Sequence, residues 1–314
     1  MRNITKPYAV QKKRKRWTKR QTQLFWLAML FVLFVFAFSY VPLFGWSIAF
    51  VNYNPGKSLL DQTFVGLKNF RLLWSSRRDL WMALRNTLVL SSLTLLTMPV
   101  PLIFAILLSE LRSKRLSKIA QTASTLPYFI SHVLLYAVCF AMFSPTDGAL
   151  NVVMRIFRGA DYTSNLMADK NVVWTMQTFI CLYKGMGYSA IMYLSGMSGI
   201  DQELYEAASI DGAGRFAKVW HITIPGILPT FIVLLVMQIA GMLSGAGFDQ
   251  YFIFQNPMIL NKLEVLDTYI YKIGLRQNNF GFATAAGMLK SLISIVLLTI
   301  ANKLSKLVRG SSLY

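Results

Sequence analysis

The sequence predicts an all-α integral membrane protein with about six transmembrane helices and both termini in the cytoplasm. Three observations predict it. The chain is 55% hydrophobic and only 14% charged, whereas a soluble chain is nearer ~45–50% apolar with ~25% charge. Six segments approach the ~20 mostly apolar residues that cross a bilayer. Basic residues crowd the short segments on one side of those spans, as the positive-inside rule requires.

The chain opens with a basic tail, residues 1–23. Nine of the 32 Lys and Arg residues lie in the first twenty positions, chiefly in KKRKRWTKR. A net charge of +19 raises the question of nucleic acid. The cluster sits directly before an apolar run, however, so it reads as a cytoplasmic anchor, with lipid head-group binding second and nucleic acid excluded as a partner. The predicted spans are 24–46, 87–111, 119–143, 172–197, 224–248 and 283–304. The first is retained rather than cleaved: it exceeds the ~7–15-residue core of a signal peptide and no A-x-A site follows. The third is the weakest, interrupted by Gln121, Ser124, Thr125, Pro127 and His132.

With the N-terminus inside, the inner segments hold 18 basic residues, and the three longer outer loops hold 12 with eight acids beside them. The first outer loop carries aromatics and Leu at helical spacing over 64–88, which suits a helix lying at the interface or a soluble amphipathic cap. The expected organisation is one membrane domain, 24–306, with a cytoplasmic loop at 199–223 and a cytoplasmic tail at 307–314.

Several chemistries are excluded. Cys139 and Cys181 both lie in apolar segments, which leaves no disulfide framework or CxxC site. His132 and His221 are far apart and lack ligand neighbours, so no metal is expected. Gly56-Lys57-Ser58 imitates the end of a phosphate loop, but GxxxxGK[ST] needs Gly at position 51, which is Val51. Asn54-Pro55-Gly56 reads as a turn instead. GAGRFA at 212–217 has no preceding strand, and no G-x-S-x-G or HExxH pattern occurs. The chain is not expected to be an enzyme or to carry its own energy source.

One polar segment stands between the fourth and fifth spans: GIDQELYEAASIDGAGRFAKVWHITIP, 199–225. Asp201 can cap a helix, with Glu203 in its first turn where the dipole favours an anion. Asp211-Gly212 then supplies the Gly that follows a helix end. RFAKVWHI can form a second short helix, and Pro225 is tolerated in the first turn of the next span. Ala207, Ala208, Gly212, Ala213 and Gly214 permit close approach by another surface. Glu203, Glu206 and Arg215 edge that patch, and Tyr205 and Phe216 can anchor in a pocket. The pattern alone fits a docking element or a solvated helical loop.

Glu206-Ala207-Ala208, three residues, Gly212, nine residues, then Ile222-Thr223-Ile224-Pro225 resembles the EAA motif of bacterial ABC-importer permeases, with Ile224 in place of the usual Leu. FVGLKNF, ALRNTL, GFDQYFIFQNP and LDTYIYKIGL extend the resemblance to the carbohydrate-uptake (maltose-type) class, and within it to LplB-type polysaccharide and oligosaccharide permeases. The resemblance implies a type I ABC-importer permease fold in the bacterial cell membrane and a role in sugar import. It implies a second homologous permease, two cytosolic ATPase subunits that hold ATP and Mg, an extracytoplasmic sugar-binding protein, and no cofactor on this chain. The ATPase-coupling residues it implies are Glu203, Tyr205, Glu206, Ala207, Ala208, Asp211, Gly212, Arg215 and Phe216.

Sugar recognition needs aromatic faces and hydrogen-bonding groups in a cavity, and polar groups at membrane depth face a cavity or another helix. Tyr183, Lys184 and Tyr188 in the fourth span and Gln238 in the fifth are therefore candidate pathway residues; interhelical bonding is the alternative for each. Lys184 could also pair with an acid of the partner permease or bind an acidic sugar. His132 reads as a helix–helix bond. Pro99, Pro101, Gly185 and Gly187 fit either bending or close approach. Asp249, Tyr251, Asp267 and Tyr271 are expected at the outer mouth, for substrate, binding protein or fold support. A secondary transporter working without an ATPase is the alternative function; it would need coupling-ion carboxylates in the membrane, and Glu110 lies near a span end. A membrane enzyme would need a paired-carboxylate or nucleophile site that is not evident.

Overall fold

The computed structural model of the protein describes residues 18–243 and 247–309. The tail residues 1–17 and 310–314 lie outside the described residues. The chain forms two compact units, one ending at Ile48 and the other starting at Ala49.

The first unit is one helix. Helix α1 (Lys19–Val35) continues through π turns at Phe36–Tyr40 into 3-10 turns from Val41. Thr18 starts it with a reciprocal cap. The Gln21 N–H donates to Thr18 Oγ1 at 3.3 Å, and the Thr18 N–H donates to Gln21 Oε1 at 2.9 Å, so two orphan donors are satisfied. No side chain of Lys19–Val35 is buried. A helix apolar on every face with none of it buried is suited to lipid or to another chain.

The second unit starts with a small hairpin, β1 (Val51–Asn52) antiparallel to β2 (Thr63–Phe64), with Val51 opposite Phe64. Its connection is the predicted turn: Asn54 Oδ1 accepts from the Gly56 N–H at 3.0 Å, and the Gln62 amide donates to the carbonyls of Asn54, Lys57 and Ser58. Helix α2 (Lys68–Ser75) follows, then α3 (Arg77–Leu96) and α4 (Pro99–Ser109). The amphipathic stretch predicted over 64–88 is thus α2 plus the start of α3. Arg77–Ser109 forms one span, longer than expected because that amphipathic turn feeds straight into it. The interruption at Thr97 and Met98 falls where Pro99 opens α4.

The third predicted span is broken. Helix α5 (Lys114–Phe129) and helix α6 (His132–Phe143) meet at 103° across a break at Ile130 and Ser131. Pro127 lies in the last turn of α5, where its missing N–H weakens the ladder. Ile130 is extended, and Ser131 Oγ accepts the Leu134 N–H at 3.3 Å to start the new helix.

Helix α7 (Ala149–Arg158) leads to α8 (Val173–Met197). The polar segment forms α9 (Gln202–Ile210) and α10 (Arg215–Lys218), then a π turn at Val219–Thr223, then α11 (Ile224–Gly241). The second short helix expected from RFAKVWHI is therefore the foot of a continuous Arg215–Gly241 span. That span ends at Gly241, short of the expected 248. Short helices α12 (Phe248–Phe254), α13 (Leu260–Leu263) and α14 (Leu266–Tyr271) precede the long α15 (Phe280–Arg309).

Among the described residues, four helices are long and apolar enough to cross a membrane, or five where the bent α5–α6 pair counts as one span. Helix α8 has the length at 25 residues but carries Gln177, Thr178 and Lys184. It is a central helix, in contact with α3, α4, α5, α11 and α13. One apolar cluster joins Leu90 of α3, Leu135 and Cys139 of α6, Ile180 of α8 and Phe254 of α12. A second joins Ala83, Tyr269, Phe282 and Ala286 across α3, α14 and α15, and a third joins Ala105, Ala190, Tyr193 and Ile227 across α4, α8 and α11.

Candidate functional site in the 199–225 loop and the helix-lined cavity

Asp201 is the N-cap of α9, its carboxylate accepting the Glu203 N–H at 3.0 Å. The helix closes on a Schellman motif: the Ala213 N–H donates to the Ala208 carbonyl at 2.8 Å and the Gly212 N–H to the Ser209 carbonyl at 3.2 Å. Gly212 has φ +76°, the left-handed region that glycine alone enters without steric cost. Asp211 is the C-cap preceding it.

Side chains then tie α9 to the span behind it. The Tyr205 and Thr223 hydroxyls share a hydrogen bond at 2.9 Å. Lys218 Nζ donates to Ser209 Oγ at 2.6 Å, and Ser209 Oγ donates to the Tyr205 carbonyl at 2.6 Å. Tyr205, expected as a docking anchor, is thus half-buried and braces the loop. Phe216 is 92% exposed. Glu203, Glu206, Ala207, Asp211, Gly212 and Arg215 are exposed too, and Ala208 is half-buried. No residue of α9 is buried. The sequence reading did not single out Leu204, Ile210 and Trp220, which are also exposed, Ile210 to 87%. Large apolar residues inside a charged, capped loop were the available signal.

The candidates expected at membrane depth gather along α8, where Lys184 and Tyr188, four residues apart, share a face and both meet the Tyr128 ring. Tyr188 lines a cavity of about 380 Å³ together with Thr94, Cys181, Ser189, Tyr193 and Gln238. Gln238 also borders a smaller space of about 40 Å³ with Thr94, Tyr251 and Asp267. Tyr188, Gln238 and Tyr251 therefore share a connected neighbourhood. Lys184 turns instead to the break in the third span. Its ammonium donates to the Tyr128 carbonyl at 2.9 Å and to the Ile130 carbonyl, so it caps the end of α5. It also stands 5.9 Å above the Tyr128 ring, which stacks on Tyr188 at 4.1 Å. Tyr183 is half-exposed, and His132 opens α6.

Gly187 accounts for the close crossing on that face: a Cβ there would lie 2.2 Å from the Ser124 carbonyl oxygen of α5, whereas one at Gly185 would meet nothing within 4 Å. Gly187 is a contact point and α8 is unbroken through it. Asp249 is exposed in the first turn of α12. Asp267 is ion-paired with Lys290 of α15, and Tyr271 packs edge-on against Phe248 and Phe252. The structure also gives a role to ALRNTL. Asn86 Nδ2 donates to the carbonyls of Asn261 and Glu264, at 3.1 and 3.0 Å, and Thr87 Oγ1 accepts the Leu266 N–H at 2.8 Å. Gln177 accepts from Gln250 Nε2 at 2.8 Å. These buried amides sew α3 and α8 to the helices that follow α11.

A broken, multi-span helical scaffold with a capped, exposed loop between its spans defines a membrane transport component. The profile of the binding-protein-dependent transport system inner membrane components matches residues 83–310, and the chain belongs to that family. It is 34% identical to the Bacillus subtilis polygalacturonan/rhamnogalacturonan transport system permease protein YteP, over 94% of this chain and 92% of that one. It is also 34% identical to the B. subtilis protein LplB, over 92% and 90% of the two chains. A crystal structure of a bacterial alginate ABC transporter, in complex with an alginate-pentasaccharide-bound periplasmic protein, contains a chain that superposes with a TM-score of 0.83 at 29% identity, covering 94% of this chain and 98% of that one. The protein is a multi-pass permease subunit of an ABC importer of the carbohydrate-uptake class, and it resides in the cytoplasmic membrane.

Proposed function

We propose that this chain forms half of the translocation pathway of an ATP-driven oligosaccharide importer and that α9 is the point where a separate ATPase drives it. The second half is a homologous permease, two cytosolic ATPase subunits hold ATP and Mg, and an extracytoplasmic binding protein delivers the sugar. In this reading α8 is the sixth span and both termini are cytoplasmic, which places 199–223 on the ATPase side.

The observation that carries the coupling role is the combination of rigidity and exposure in the loop. The cap at Asp201, the Schellman turn at Gly212 and the Tyr205–Thr223 bond fix α9 onto the foot of α11, while Leu204, Ile210 and Phe216 remain uncovered. Fixed apolar anchors ringed by charge fit a partner's groove. Glu203, Glu206, Asp211 and Arg215 set its polarity, Ala207, Ala208 and Gly212 let it approach closely, and the continuous Arg215–Gly241 helix acts as a lever into the membrane. A push on α9 then biases a bistable helix arrangement.

The substrate reading rests on the named relatives and on the cavity. Polygalacturonan, rhamnogalacturonan and alginate are the sugars of the similar transporters, so we assign an oligosaccharide, with acidic ones first to test. Tyr188, Gln238 and Tyr251 supply ring and hydrogen-bonding surface. Tyr183 and Asp249 line the approach from outside that cavity, and Lys184 shapes it.

The test is assembly and ATPase activity of the copurified complex with and without binding protein. Glu206→Arg should abolish binding-protein stimulation while the permease pair still forms. Full stimulation in that variant overturns the docking role.

A further inference from the structure

Helix α7 is built inside out. Its stripe at Ala149, Val152, Val153, Ile156 and Phe157 follows the i, i+3, i+4, i+7, i+8 pattern that normally faces a core. Here that stripe faces outward: Ile156 and Phe157 are 78% and 79% exposed. The polar face is the one turned inward. Asn151 is buried, its amide donating to the carbonyls of Ser144 and Ser164 at 2.7 and 2.8 Å and accepting the Ser164 N–H at 2.9 Å. Arg155 donates to the carbonyls of Tyr162, Pro145 and Thr146. Arg158 lies 5.2 Å from the Tyr162 ring.

The inversion is locked in place. Asn151 and Arg155 tie α7 to the loop on both sides of it, so the helix cannot roll its apolar face inward without stripping those bonds. A water-facing helix with this pattern would have the opposite orientation. The stripe therefore meets something apolar, and its position says what. Helix α7 starts within six residues of the end of α6 at Phe143 and packs against it. Val138, Phe140 and Met142 near that end of α6 are themselves exposed apolar residues on a membrane-spanning element. The stripe continues a lipid-facing surface at the depth where the chain leaves the membrane.

We infer that α7 is an interfacial membrane anchor, its Val152, Val153, Ile156 and Phe157 face seated in the head-group and acyl boundary of the bilayer. An interfacial helix usually draws strength from basic residues on its polar face meeting anionic lipid. Here the Arg155 guanidinium is spent on three backbone carbonyls. Arg158 is exposed but rests beside the Tyr162 ring, so insertion is chiefly apolar in origin and does not require anionic lipid. The anchor fixes the depth of the loop between α6 and α8, and with it the outer end of the bent third span. Neither the ATPase partnership nor the sugar enters this argument.

The test uses the assembled transporter in vesicles, with Cys139 and Cys181 replaced by Ala and an environment-sensitive fluorophore on Ile156→Cys. Phe157→Cys is the second site should the first fail to assemble, and Asp161→Cys, exposed on the same loop, is the aqueous control. The label at 156 or 157 should be quenched by a nitroxide on the upper acyl chain, as expected for a face at the head-group and acyl boundary, and should ignore aqueous iodide. The label at 161 should show the reverse. The result should be the same in zwitterionic and in anionic vesicles. Iodide quenching at 156 equal to that at 161 overturns the anchor. Shielding that appears only when binding protein is added assigns the face to that protein instead, and insertion confined to anionic vesicles overturns its apolar origin.

Discussion

Helices α1 and α8 reverse the rule that apolar residues lie inside. The Lys19–Phe50 helix is long and apolar enough to cross a membrane, yet no side chain of Lys19–Val35 is buried. Helix α8 falls short in apolarity, yet it buries Gln177, Thr178, Tyr193 and Met197 among others and touches five other helices. In lipid there is no hydrophobic penalty for an outward Phe, so apolarity marks exposure to solvent tails and polarity marks the interior or a cavity. The polar side chains of α8 are accordingly partnered: Gln177 with Gln250, Thr178 with the Trp174 carbonyl at 2.8 Å, and Lys184 with the broken end of α5. The long helix that falls short in apolarity is the hub.

The strongest test of that contrast is Lys184→Ala. It removes the donor to the Tyr128 and Ile130 carbonyls at the broken end of α5. A hydrogen bond from a charged donor contributes about 1.5–3 kcal/mol, and partial exposure of this one sets that range as the ceiling, so the variant should lose up to that much stability and most of its transport. Thermal unfolding in detergent and vesicle uptake check it. Retention of the wild-type melting temperature would show that the 103° break holds without its cap.

The glycines of α8 give a smaller and more discriminating effect. Gly187→Ala places a Cβ 2.2 Å from the Ser124 carbonyl oxygen, and overpacking of this kind costs about 1–3 kcal/mol. Gly185→Ala meets nothing within 4 Å and should be neutral or stabilising by up to ~1 kcal/mol through helix propensity. Equal destabilisation by both would mean that α8 bends at this pair, contrary to its unbroken ladder.

Much of this was legible in the sequence because one-dimensional patterns determine it. The length of the apolar runs located α1, α11 and α15, and Asp201, Gly212 and Pro225 marked the ends in the 199–225 loop through cap chemistry that is local. The third span was readable as weak, from Pro127 and the polar residues around it, but not as bent. The bend depends on Ser131 starting a new helix and on Lys184, more than fifty residues away, supplying the cap. Lys184 stood out in the sequence as a lysine inside an apolar segment, and only the packing of α5 on α8 shows which group its ammonium meets. Tyr205 and Phe216 read alike as aromatic anchors; the Thr223 hydroxyl separates them, leaving Phe216 free and Tyr205 engaged. The inverted face of α7 was hidden because the periodicity of an apolar stripe does not say whether it points in or out.

The smallest effect is expected in α1, and it is the sharpest probe of the other half of the contrast. Phe31 is 60% exposed on that helix. In a soluble core, Phe→Ala costs about 3–5 kcal/mol, through lost transfer energy and the cavity left behind. Phe31→Ala leaves no cavity here. It forfeits about 0.5 kcal/mol of insertion free energy, partly offset by the better helix propensity of Ala. The unfolding midpoint of the isolated chain in detergent should therefore move by no more than the equivalent of ~0.5 kcal/mol, as for surface substitutions elsewhere. A loss above about 2 kcal/mol lies in the range of core truncations. It would mean that the α1 face around Phe31 has a buried partner, and the reversal of inside and outside between α1 and α8 would fail at its outer end.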